Sequence, residues 1–100
     1  MKELIEFYAD MYGVKREVAL KVAQCESEFK TTAVGDSGKA YGVFQFHKPT
    51  FTEFSQKFGD ESLEYKNVEH SIELAMWAIS HGMGHHWTCY RNLPKGLATK

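Results

Sequence analysis

Apolar residues recur along this chain at helical spacing, in blocks most of which end at glycines. Leu4, Ile5, Tyr8 and Met11 or Tyr12 share one face, so the spacing predicts a helix from about Lys2 to Tyr12, stopped by Gly13. Val18, Val22, Cys25 and Phe29 follow at helical steps and predict a second helix from about Lys15 to Phe29. The stretch from Thr31 to His47 breaks the pattern. Gly35, Gly38 and Gly42, with Asp36 and Ser37 among them, mark a turn-rich loop. It ends in Tyr41-Gly42-Val43-Phe44-Gln45-Phe46, which is too short and apolar to assign to helix or strand by periodicity. Thr50-Phe51-Thr52-Glu53, just after Pro49, reads as a capping box opening a third helix. Phe51, Phe54 and Phe58 are its buried stripe, and Gly59 stops it. A last long helix is expected from about Asn67 to His81, with Val68, Ile72, Ala75, Met76 and Ile79 inward and Gly82 at its end. Lys95 to Lys100 reads as a polar tail. These segments predict a mainly α, single domain over residues 1–100, with a Gly-rich loop or small β-hairpin at its centre.

Composition changes this picture little. The chain has no internal repeat, low-complexity stretch or linker, and its formal net charge of −1 removes the electrostatic case for nucleic acid. No apolar run approaches the ~20 residues that a membrane span needs. Met1-Lys2-Glu3-Leu4-Ile5-Glu6 holds no apolar signal-peptide core. The chain is therefore read either as acting where it is made or as a mature domain of a longer precursor. A monomer is expected. Fourteen aromatic residues among 100 are enough to fill a core and also to line a carbohydrate groove. Cys25 and Cys89 have no CxxC or zinc-ligand spacing. They are either two buried thiols or one disulfide closing a long loop, the latter pointing to an oxidising compartment.

The candidate chemistry centres on Glu26. At ~100° per residue, Glu26 lies beside Val22 and Phe29, on the flank of the second helix's buried stripe. A carboxyl group there is partly desolvated, which favours its neutral form and suits it to general-acid work. A boundary glutamate reaching to water is the plainer alternative. The glycine-rich loop that follows lets backbone approach a ligand closely, or is simply a set of turns. It has no phosphate-loop order, and no Gly-x-Ser-x-Gly elbow is present. Cys25 has no local signature of a nucleophile. His81 and His85 have i,i+4 spacing, but Gly82 and Gly84 between them argue for a solvated loop rather than a metal site. His47 and His70 are read as isolated surface residues. No metal and no organic cofactor is expected.

Taken in order, these segments resemble a known family. Ala23-Gln24-Cys25-Glu26-Ser27-Glu28-Phe29 is similar to the Glu-Ser-x-Phe motif ending the catalytic helix of soluble lytic transglycosylases and goose-type lysozymes, and Ala33 matches the alanine after it. Residues 35–46 resemble the family's glycine-rich loop leading into Gly-x-x-Gln, here Gly42-Val43-Phe44-Gln45. Asn67, opening a helix with Ala75 and Trp77, resembles a later helix, and Trp87 to Asn92 sits where the family has its substrate-facing tyrosine. The likeness covers about residues 15–92. The family's usual glycine after the serine is Glu28, its Asn-Pro is Lys30-Thr31, its methionine before the glutamine is Phe44, and Arg91 separates Tyr90 from Asn92.

The resemblance implies a lysozyme-like fold and an extracytoplasmic enzyme acting on peptidoglycan glycan strands between N-acetylmuramic acid and N-acetylglucosamine. It implies Glu26 as catalytic acid and base. A lytic reaction giving 1,6-anhydro ends is favoured over muramidase-type hydrolysis, because His47 stands where goose-type members often carry an aspartate. Asp36 is the remaining candidate for a second catalytic carboxylate, or else caps a turn. Ser27, Tyr41, Gln45 and Tyr90 are the implied substrate-binding residues. Tyr41, Phe44 and Trp87 are possible cleft walls. A disulfide between Cys25 and Cys89 would tie the catalytic helix to the Tyr90 segment. The main rival reading is a module that binds peptidoglycan without cutting it.

Overall fold

A computed structural model describes residues 1–98. Helices α1 (Lys2–Tyr12) and α2 (Arg16–Ser27) are followed by three short strands, β1 (Val34–Gly35), β2 (Ala40–Tyr41) and β3 (Phe46–His47). Then come α3 (Lys48–Phe58), α4 (Val68–Ser80) and the short helices α5 (Thr88–Arg91) and α6 (Lys95–Ala98). The mainly α class is as the periodicity predicts, and the central loop takes the hairpin form, extended by a third strand.

Ile5, Val22, Phe44, Phe46, Ile72, Leu74, Met76 and Ile79 are fully buried and form the centre of one core. α1 packs on α2 and α4, and α3 packs on α4. The α1–α4 seam carries two matched polar contacts. Tyr8 donates its hydroxyl to Glu69, and Tyr12 donates to Glu73 at 2.5 Å. Each pair sits one turn from the other on its own helix, so the two bonds fix the relative rotation of the helices.

The sheet is antiparallel in the order β1-β2-β3, with Gly35 opposite Ala40 and Tyr41 opposite Phe46. The β1–β2 turn holds Asp36 and Ser37 at φ 50° and 57°. Two consecutive side-chain-bearing residues in the left-handed region cost conformational energy that glycine would avoid. Gln45 is also left-handed, at φ 51°. These three positions shape the loop beside α2.

Three boundaries differ from the sequence reading. α3 starts at Lys48 with His47 as its N-cap, so Thr50 and Glu53 lie inside the helix and do not form a capping box. Pro49 is accommodated in the first turn, where its missing N–H has no intrahelical partner to lose. α2 stops at Ser27, because Glu28 and Phe29 turn left-handed at φ 53° and 64°. Lys95–Ala98 is helical rather than an irregular tail, and Thr99 and Lys100 lie outside the described residues. Asn67 does open the long helix: its side chain accepts from the His70 N–H at 2.9 Å. No described helix is long and apolar enough to cross a membrane.

Candidate active site

The C-terminal turn of α2 faces the hairpin across a cleft of about 470 Å³. Glu26 stands on one wall. Gly35 and Asp36 of the hairpin, Gln45, His47 and Thr50 line the other side, and the segment from His86 to Cys89 closes the end.

Glu26 is half-buried, and burial pushes its carboxyl above the usual glutamate range. The backbone N–H of Cys89 favours the charged form and works the other way, while the negative charge of Asp36 adds to the rise. A raised carboxyl pKa widens the pH range in which the group keeps a proton to donate. Its neighbour Cys25 is joined to Cys89 by a disulfide with a Cα–Cα distance of 6.0 Å. The bridge resolves the two readings of the cysteines and holds α5 beside the acid-bearing turn.

Asp36 enters the same cleft. Its Oδ2 lies 2.8 Å from His47 Nε2, with 68% of the aspartate side chain exposed. The left-handed backbone at Asp36 and Ser37 turns the carboxylate toward β3, whose last residue is His47.

Gln45 is fixed by its amide nitrogen, which donates to Ala33 O at 3.0 Å and to Gly42 O at 2.8 Å. Both amide hydrogens are engaged, so the oxygen is the group left for other partners. That oxygen lies so near Gly35 that an added Cβ there would collide with it. Glycine at this position lets the β1 backbone and the glutamine share one corner of the cleft.

The other implied binding residues lie elsewhere. Ser27 is buried, and its hydroxyl donates to Ala23 O at 3.2 Å, inside α2's own backbone ladder. Tyr41 is half-buried, its ring 6.0 Å from that of Tyr65, with Lys66 Nζ 5.2 Å from its centroid. Tyr90 is buried, with its ring packed against Gly84 so closely that a Cβ there would meet Cζ at 2.8 Å. Successive residues of a helix point ~100° apart, and Cys89 takes the direction toward α2, so Tyr90 turns into the core. The structure therefore brings Glu26, Asp36 and Gln45 together and places Ser27, Tyr41 and Tyr90 outside the cleft lining. Phe44 is wholly buried. Trp87 borders the cleft but is 2% exposed, a core residue whose Nε1–H donates to Phe44 O at 2.7 Å.

His47, read from the sequence as an isolated surface residue, lines the cleft, and so does His86. His47 partners Asp36, and His86 packs on Phe54 and Trp87. Partial burial, then the nearby His47 and Arg91, hold His86's imidazolium below the usual histidine range. Local pattern gave no sign of either. The one available signal for His47 was its place directly after the Gly-x-x-Gln block. Among the described residues, no three His, Cys, Asp or Glu side chains gather as a metal-ligand set.

A family model described as the transglycosylase SLT domain matches residues 3–90. The chain belongs to the SLT transglycosylase family. Neither a curated protein nor a solved structure matches it. SLT membership gives the general activity, lytic transglycosylation directed at peptidoglycan, and so suggests action outside the cytoplasm. The match includes every cleft-lining residue from Glu26 to Cys89.

Proposed function

We propose that this SLT domain cuts the bond between N-acetylmuramic acid and N-acetylglucosamine without water, with Glu26 serving first as acid and then as base. The observation that carries the reading is a half-buried carboxyl, its pKa raised chiefly by desolvation, lining a cleft of about 470 Å³. The Glu26 carboxyl gives its proton to the glycosidic oxygen as the bond from muramic C1 breaks. The resulting oxocarbenium-like centre is attacked at C1 by the 6-hydroxyl of the same sugar. The Glu26 carboxylate takes the hydroxyl's proton, and the products are a 1,6-anhydro end and a free 4-hydroxyl on the glucosamine. Protonated Glu26 is restored and no cofactor enters the balance.

The rest of the cleft supports this assignment. Gln45 Oε1 is suited to accept from an N-acetyl N–H or a sugar hydroxyl, because its amide hydrogens are committed. Asp36 is largely exposed and engaged by His47, which fits a substrate-orienting role better than a buried nucleophile's. Tyr90 supports the Gly84 turn, and Ser27 is tied into α2.

The test is digestion of purified peptidoglycan by the wild type and by Glu26→Gln, with mass spectrometry of the soluble products. Anhydromuropeptides are expected from the wild type, and a rate lower by roughly 10²–10⁴ from the variant, the usual worth of a positioned general acid. Ordinary reducing ends would instead make the enzyme a hydrolase and Asp36 its water holder. No products from either protein, with wall binding retained, would leave a binding module.

A further inference from the structure

Beyond the cleft, His47 has a second neighbourhood. A recess of about 410 Å³ opens on its other side, lined by Gly38, Lys39, His47, Lys48, Pro49 and Tyr65. It lies between the hairpin turn and the first turn of α3. Its floor is fixed, since Tyr65 donates its hydroxyl to Phe46 O at 2.5 Å and sets its ring edge-on to Phe51 at 5.5 Å. Lys39 and Lys48 are exposed at its rim, and neither has an ion-pair partner among the described residues. No acidic residue lines it. In a chain whose net charge is −1, this is a local concentration of positive charge. Lys66, over the adjoining Tyr41 ring, extends it.

We propose that this recess is a second binding site, which takes the free carboxylates of the peptide branch carried by the muramic sugar held in the neighbouring cleft. The inference rests on the glycan-cleaving reading for its substrate. Because the recess and the cleft share His47, a strand lying against Glu26 places its side branch beside Lys39 and Lys48. Tyr65 and Pro49 give the branch an apolar surface, and the two ammonium groups meet its negative charge.

The test maps backbone amide shifts of the whole protein on titration with a soluble muramoyl peptide, and with the same compound after amidation of its carboxylates. Shifts at Gly38, Lys39 and Lys48 are expected, with roughly three- to tenfold weaker binding of the amidated form, the scale of two exposed charge contacts. Lys39→Ala with Lys48→Ala should erase that difference, and Lys39→Arg with Lys48→Arg should keep it. Equal affinity for the two ligands, or a difference that survives the alanine pair, would overturn the proposal. Kinetics separate this failure from that of the reaction itself. The alanine pair should cut peptide-free strands at the wild-type rate and peptide-bearing strands three- to tenfold more slowly. A wild type that cuts neither refutes the catalytic reading, and the shift mapping then decides the recess alone.

Discussion

At the scale of single residues, this SLT domain carries strain next to Glu26, the proposed acid. Glu28 and Phe29 are left-handed, two and three residues after Glu26, where α2 gives way to the loop. The left-handed region costs a side-chain-bearing residue roughly 1–2 kcal/mol, which glycine avoids at some expense in chain entropy. The family motif commonly has glycine at the place of Glu28, and the backbone angle supplies the reason. Glu28→Gly is therefore expected to raise unfolding free energy by about 0.5–1 kcal/mol, the margin between those two costs. The measurement is urea denaturation of both proteins. An unchanged or lower midpoint would mean that the Glu28 side chain contributes something its exposed position does not suggest.

Between elements, the Cys25–Cys89 bridge is the main covalent constraint, joining α2 to α5 across 64 positions of sequence. In the chain-entropy account a loop of that size is worth roughly 4 kcal/mol, a large share of a small domain's stability. Reduction, or Cys25→Ser with Cys89→Ser, should lower Tm by 15 °C or more on the order-of-magnitude scale of ~4–8 °C per kcal/mol. Since the Cys89 N–H sits at Glu26, activity should fall before the fold is lost, and parallel thermal scans and digestion assays with and without reductant would show this. If Tm does not move, the bridge is not a stability element. The same level shows what could be read in advance. α1 and α4 were legible because their apolar stripes are long and their stops, Gly13 and Gly82, are local signals. The start of α3 was not, because Thr50 and Glu53 imitate a capping box while Pro49 fits the first turn equally well. Glu26 lay on a helix flank, where a plain boundary glutamate was the simpler reading, and it was singled out only by the resemblance to the family motif. The pairing of Asp36 with His47 was not legible, since it depends on a hairpin that brings residues 11 apart into contact through left-handed turns. Tyr90 and Ser27 were assigned by motif alone, and only the packing of α5 and α2 reveals which way they face.

Across the whole molecule, the carboxyl proposed as the acid also loads the fold. Glu26 has a folded-state pKa raised above its unfolded value, chiefly by burial. The native state therefore binds more protons than the unfolded chain between those two values, and stability declines as pH rises through that window. Below the unfolded value both states are protonated and the penalty vanishes. Above the folded value it is complete and constant. The α1–α4 seam acts in a different range. Tyr8 is pushed up to about 12, first by its hydrogen bond to Glu69, so its contribution is intact below the ordinary tyrosine value and is lost as pH climbs from there toward 12. Glu26→Gln isolates the first effect, because glutamine keeps the shape and cannot ionise. The variant should match the wild type in strong acid and exceed it at neutral pH, within the ~0.5–2 kcal/mol span of single stabilising substitutions. Both should share the same alkaline fall. The measurement is unfolding free energy against pH for the two proteins. A difference that is flat from acid to neutral pH would show that Glu26 is not desolvated in solution, and would remove the physical basis for its role as the acid. A difference that opens on leaving strong acid and then levels off would tie the stability of this small domain to the same proton that its proposed reaction uses.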